Sequence, residues 1–111
     1  MQPPVPAPAV TSRPLPSDKP PRIQDVVLSE RVIHSGDVVL ERVVASSNTA
    51  SVESRIGGYS MSLPKVGVGL FEVSYKVPLI PFFMHGSYQI VVIARNTAGI
   101  QTRRTVPILV Q

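Results

Sequence analysis

The sequence predicts an all-β fold, a sandwich of about seven short strands preceded by a disordered Pro-rich segment. Three observations carry this expectation. Val, Ile and Thr make up 28 of the 90 residues from Arg22 to Gln111, and β-branched side chains lose rotamer freedom in a helix but pack well on a pleated surface. No segment repeats its apolar residues at helical spacing for three turns, whereas turn residues recur about every ten positions between alternating stretches. Eight of the twelve prolines fall in the first 21 residues, which hold no glycine and no aromatic residue. That composition cannot bury enough apolar surface to fold.

Two units follow: residues 1–21 as a linker or tail, and residues 22–111 as the sandwich. Proline fixes φ near −65° and disfavours helix in the residue before it, so the first unit reads as an extended, semi-rigid spacer. Pro3-x-x-Pro6 also fits the bare core of a Pro-rich docking peptide, without the flanking basic residue that orients such ligands. In the second unit the first strand covers Arg22 to Leu28, and a short continuation at Arg31 to Ile33 is left open. Ser35-Gly36-Asp37 turns the chain into Val38 to Ala45. There Val38-Val39-Leu40 and Val43-Val44 flank Glu41-Arg42, so the strand is expected to be bulged or buried on both faces. Ala50 to Ile56 alternates, with Val52, Ser54 and Ile56 inward and Glu53 and Arg55 outward. Gly57-Gly58 supplies the positive-φ residues of a two-residue hairpin leading to Tyr59 to Leu63. Phe71, Val73, Tyr75 and Val77 share one face of a fifth strand, opposite Glu72, Ser74 and Lys76. Tyr88, Ile90, Val92 and Ala94 share a face of the sixth, Ser87 to Arg95. Asn96-Thr97-Ala98-Gly99 turns into the last strand, Ile100 to Val110, where Pro107 cannot donate a ladder hydrogen bond and so marks an edge.

Composition narrows the chemistry. With no cysteine, disulfides and cysteine-ligated metal centres are excluded, and apolar burial alone must hold the domain. The longest apolar run, Val77 to Met84, is eight residues interrupted by two prolines, far short of the roughly 20 that a membrane span needs. Gln2-Pro3-Pro4 follows Met1 with neither a basic start nor a hydrophobic stretch, so no signal peptide is visible, as in a cytosolic protein or an excised fragment. The net charge of +4 is scattered, with Arg103-Arg104 the one adjacent pair. Nucleic-acid binders cluster basic residues and interleave aromatics, so no nucleic-acid partner is expected. His34 and His85 lie in turns without a serine and aspartate arranged around them, and the seven acids fall at no metal-binding spacing. The expectation is a non-enzyme with no metal, no cofactor and no small-molecule substrate.

Gly86-Ser87-Tyr88-Gln89-Ile90 resembles the start of the sixth strand of immunoglobulin-like domains, in which a glycine stands two residues before a tyrosine that stands two before a core cysteine. Ile90 takes the cysteine position, and Met84 stands where the antibody type has an aspartate. The stretch Gly86 to Ile100 resembles the last hairpin of bacterial immunoglobulin-like and fibronectin-type-III-like repeats of secreted and surface proteins. The resemblance implies an immunoglobulin-like Greek-key sandwich, an extracytoplasmic location, and a corner role for Tyr88, its hydroxyl bonded to nearby backbone. Gly86, Tyr88 and Ile90 would then be structural.

The remaining candidates are contact residues. Pro78-Leu79-Ile80-Pro81-Phe82-Phe83-Met84-His85 is far more apolar than a normal inter-strand connection. Its leading reading is a plug folded over the open end of the core; the other is an exposed patch formed by Leu79, Ile80, Phe82, Phe83 and Met84 for another domain or subunit. In an extended loop, Phe82 and Phe83 would point to opposite sides. Alternation would turn one of Arg103 and Arg104 inward, so a bulge that leaves both solvated is expected there, with a basic spot for an acidic partner as the rival. The function that fits best is a spacer or protein-interaction module of a larger bacterial protein. The alternatives are a surface-filament or secretion-assembly subunit whose Pro-rich arm contacts the next subunit, and a carbohydrate-binding module.

Overall fold

The computed structural model describes Pro16 and residues 18–111. Most of the Pro-rich segment, and with it the spacer and docking-peptide expectations, lies outside the described residues. Nine strands appear among those described: β1 Ile23–Leu28, β2 Val32–Ile33, β3 Val38–Ala45, β4 Thr49–Ile56, β5 Tyr59–Leu63, β6 Lys65–Gly67, β7 Leu70–Lys76, β8 Gly86–Asn96 and β9 Gln101–Val110. They form a four-stranded sheet ordered β1-β3-β7-β6 and a five-stranded sheet ordered β2-β9-β8-β4-β5. The fold is all-β in two sheets, as the composition predicts. The expected count of seven falls short because β2 and β6 are two- and three-residue edge strands, too short to show an alternation. β2 runs parallel to β9 and the other pairs are antiparallel.

The core lies between the sheets. Val26, Leu28, Val39, Val43 and Phe71 from one side meet Val52, Ile90, Val92, Val106 and Ile108 from the other. β7 and β8 bury the faces their alternation predicts, with Val73, Tyr75 and Tyr88 partly buried against that core. In β4, Val52 and Ser54 are buried and Arg55 is exposed. The β4–β5 hairpin closes through Gly57-Gly58 with Ile56 opposite Tyr59. Only Gly57 takes a positive φ, 55°, which is the first central position, where a type II′ turn requires it.

Two expectations are corrected. β3 is neither bulged nor buried on both faces: its pairing with β7 runs unbroken from Val38 to Val44, and burial alternates strictly. Val39, Glu41, Val43 and Ala45 point inward, leaving Val38 and Leu40 exposed. The irregularity in the β1–β3 pair falls instead on β1, between Ile23 and Asp25. β9 likewise carries no bulge at Arg103-Arg104, because its register with β8 is continuous from Gln101 to Val110. Arg104 pairs with the core-facing Val92, yet both arginines are exposed. β2 covers only Leu109 and Val110, so β9 is the sheet margin at Arg104, where a long side chain can pass the edge and keep its charge in water. Pro107 sits on the same bare margin, and its missing N–H falls in step with those of Leu109 and Gln111, which bond to Arg31 and Ile33.

Candidate functional site

The connection from β7 to β8 is pinned at its root and apolar at its tip. Val77 is buried; it donates to the Asp37 carbonyl at 2.7 Å and accepts from Gly36 at 2.9 Å. Ile80 donates its N–H to Ser35 Oγ at 2.7 Å and packs its side chain on the core. Pro81 then leads into a 3₁₀ turn, Phe82–Met84, closed by bonds from Met84 to Pro81 and from His85 to Phe82. This turn overturns the plug reading. Leu79, Phe82 and Phe83 are 86%, 83% and 74% exposed, and Met84 is 39% exposed. A tight helical turn advances each residue by about a third of a revolution, so neighbouring rings need not split between inside and outside as they would on an extended loop. The two rings instead meet edge to face, centroids 5.8 Å apart, a favoured aromatic geometry. Of the five apolar residues expected at a contact, Ile80 alone turns inward.

The turn is fixed to the sheet that follows it. The Tyr88 hydroxyl donates to the Met84 carbonyl, and Gly86 adopts φ 150°, a backbone region closed to side-chain-bearing residues. Ile90 is buried in the core. The Tyr88 bond, with that of Ile80 to Ser35, holds the aromatic pair at one pole of the sandwich, beside the turn from β2 to β3.

The opposite pole holds the described end of the Pro-rich segment. Asn48 Nδ2 donates to the carbonyls of Pro16 and Lys19 at 3.0 and 2.8 Å, Asn96 Nδ2 to that of Lys19 at 2.7 Å, and Thr102 Oγ1 to that of Pro21 at 2.6 Å. Arg22 and Ser46 exchange two bonds, and Pro21 is buried. Proline-rich chain has few N–H groups with which to bond itself, so its carbonyls need donors from elsewhere. Asn48, Asn96 and Thr102 provide them. The sequence reading missed this anchor; its signal was an asparagine in each of two turns near the same sheet ends.

Charged groups are arranged on the outer faces. Glu53 bonds Arg55 at 2.8 Å and Arg95 at 2.9 Å, and these two guanidinium groups hold its carboxyl down at about 2. Arg103 lies two strands away on the same face, in register with Ile93. At the aromatic pole Asp37 accepts the His34 N–H at 2.8 Å, which keeps its carboxyl below the ordinary range. A hydrogen bond to Asp37 raises that of Glu30. Among the described residues no three His, Asp or Glu side chains are grouped to hold a metal, and no helix is long and apolar enough to cross a membrane. Tyr75 and Tyr88 pack on the core, leaving Tyr59 as the one largely exposed tyrosine.

Glu41 is the exception to this surface placement of charge. Fully buried, it lies between Leu28 and Val73 in register. Its Oε2 accepts the Ser54 hydroxyl from the opposing sheet at 2.7 Å, and Oε1 is buried without a hydrogen-bond partner. Burial pushes its carboxyl above the ordinary range, against the opposing effect of the Ser54 bond. Burial also raises the Tyr75 hydroxyl, helped by the charge of Glu41. Strict alternation along β3 was the available signal for the inward glutamate.

No protein-family model matches this chain, and a search of curated proteins returns no relative.

Proposed function

We propose that this chain is an immunoglobulin-like module of a secreted or surface bacterial protein, acting without catalysis as a spacer and protein-interaction unit. The strand orders support the fold reading: β1-β3-β7-β6 and, leaving aside the two-residue edge strand β2, β9-β8-β4-β5 follow the order of the four-strand and three-to-four-strand sheets of that Greek key. The Tyr88 bond to the backbone four residues upstream supports a corner role. A single observation carries the function. Two phenylalanines are held nearly fully exposed on a turn tied down at both ends, and soluble domains retain such patches at contact sites. Stiffness along the strands and opposite placement of the anchored prolines and the aromatic turn suit a unit that transmits position from one neighbour to the next. The second placement also favours the reading as an assembly subunit.

The test is the pair of substitutions Phe82→Ser and Phe83→Ser. The doubly substituted chain should melt within a few degrees of the wild type and remain soluble at higher concentration. A fall of ten degrees or more, on the order expected from losing about 2 kcal/mol in a domain of this size, would make the rings part of the fold and remove the interaction reading.

A further inference from the structure

We propose that strand β5, Tyr59–Leu63, is an interface between two copies of this chain, which pair antiparallel along it and join their five-stranded sheets into one. The surface is separate from the aromatic turn. An edge strand offers unpaired N–H and C=O groups to any strand that comes alongside, and folded proteins blunt such edges with charge, proline, bulges or shortness. The other margins of this sandwich are blunted in these ways. β1 carries Asp25 and an irregular register, and β2 has two residues. β6 has three, among them Lys65, with a shift of register, and the bare part of β9 holds Arg103, Arg104 and Pro107. β5, Tyr-Ser-Met-Ser-Leu, is of ordinary strand length and has no charge, no proline and an unbroken register with β4, its one neighbour among the described residues.

The occupant follows from the register. A two-residue turn makes the flanking Ile56 and Tyr59 a hydrogen-bonded pair, and such pairs alternate along the ladder. Tyr59, Met61 and Leu63 therefore turn their backbone groups to β4, and Ser60 and Ser62 turn theirs outward, where no other backbone among the described residues meets them. A strand of the same sequence satisfies both serines at once when a twofold axis passes through Met61. Ser60 of each copy then lies opposite Ser62 of the other, and each of these pairs exchanges two bonds. Moving the axis to Ser62 would set Ser60 against Pro64, which has no N–H to give. Moving it to Ser60 would leave Ser62 opposite Gly58 in the turn.

The side chains fit the same axis. On the outer face Ser60 is opposite Arg55 and Ser62 opposite Glu53, so each row across the seam runs from Glu53 of one copy through two serines to Arg55 of the other. An axis at either serine would instead end a row on two arginines or two glutamates, and like charges oppose pairing. On the core-side face Tyr59, 73% exposed in the single chain, comes opposite Leu63 of the second copy, and the two Met61 side chains meet on the axis. Because the same surface serves both copies, the contact closes on a pair. With the five residues of β5 on each side it falls well below the roughly 20 to 30 of a standard interface, so the association is weak and needs high concentration.

The absence of cysteine makes the register testable, since any disulfide then joins introduced thiols on two molecules. In the full-length chain Met61→Cys places the two thiols in a pair whose Cα atoms are about 4.5 Å apart, within the span a disulfide bridges. Tyr59→Cys places them four residues out of register. Under mild oxidation at about 0.5 mM, a concentration that populates a submillimolar contact, Met61→Cys should form covalent dimer roughly tenfold faster than Tyr59→Cys, although Tyr59 is the more exposed residue. In sedimentation at that concentration the wild type and Ser62→Ala should approach twice the mass of one chain. Ser62→Pro, which removes an outward N–H without touching the β4 ladder, should stay single and melt within a few degrees of the wild type. Phe82→Ser with Phe83→Ser should leave the association unchanged. The proposal is overturned by a wild type that stays single, by equal rates for the two cysteine variants, by a folded Ser62→Pro chain that associates as the wild type does, or by loss of association in the doubly substituted chain. Should Ser62→Pro fail to fold, the cysteine comparison decides alone.

Discussion

Strand β3 buries a carboxyl group, whereas the turn between β7 and β8 exposes two phenylalanine rings. Both side chains sit against their own solubility, for different reasons. Within a strand, side chains point to alternate faces, and a register that runs unbroken against β7 from Val38 to Val44 cannot slip by one without turning Val39, Val43 and Ala45 out to water. Glu41 is carried inward by its neighbours, and the Ser54 hydroxyl meets one of its oxygens. The turn has no such constraint. Its root is tied by Val77 and Ile80, and nothing in the ladder dictates where Phe82 and Phe83 point. A polar group in a strand can be imposed by the fold, while an apolar group in an anchored turn has been left outside by it.

The largest contrast is between phenylalanines. Phe71 is 1% exposed and pairs with Val43 in the core, so Phe71→Ala should lose about 3–5 kcal/mol in denaturant unfolding, a large share of the stability of such a domain. Phe82→Ala should change it by no more than about 0.5 kcal/mol. Equal losses at the two positions would erase the contrast.

A smaller effect tests the acid. Ser54→Ala removes the partner of Glu41 Oε2 and leaves the carboxyl wholly unpaired in the core, which should cost about 1–3 kcal/mol. In the double variant with Glu41→Leu most of that loss should return, since both polar groups leave together. Additive losses from the two substitutions would mean that the bond across the sandwich contributes nothing.

The pH dependence of Glu41 has a definite sign. Its carboxyl is raised in the fold, so its contribution is fully present below the unfolded value, about 4.3, and is lost as pH rises through the higher folded value. Glu53 runs the other way. Held at about 2 in the fold, its contribution is present above the unfolded value and is lost as pH falls toward 2. Unfolding free energies of the wild type and Glu41→Gln, compared at several values from pH 4 to 7, should diverge in favour of the variant as pH rises. A constant difference would show that Glu41 ionises alike in the folded and unfolded chain.

The smallest change concerns the tie between turn and sheet. Tyr88→Phe removes the bond to the Met84 carbonyl at a solvent-accessible site, where water can replace it, so the cost should be about 0.5–1.5 kcal/mol. Amide signals of Phe82 to Met84 should also shift. A neutral variant with an unchanged turn would detach Tyr88 from the placement of the aromatic pair.

Period-two patterning was sufficient to read the inward faces of β4, β7 and β8, although Ile93 on the opposite face of β8 is buried as well. The hairpin at Gly57-Gly58 and the edge at Pro107 were legible too, since each depends on what one residue type can or cannot do with its own backbone. Glu41 was legible only in parity; apolar residues on both sides of β3 hid it, because Val38 and Leu40 are exposed on a face that water reaches. The two short edge strands had too little length to show a pattern. Three things were decided by tertiary structure alone. The carbonyls of Pro16, Lys19 and Pro21 found donors in Asn48, Asn96 and Thr102, up to 81 positions away. Arg104 escaped the core because its strand is the sheet margin at that level. Phe82 and Phe83 came to lie outside because the core was already filled from both sheets and the turn was held from Ser35 and Tyr88. Local sequence sets the direction of each side chain from its own strand, but which directions lead to water depends on what the rest of the chain has placed there.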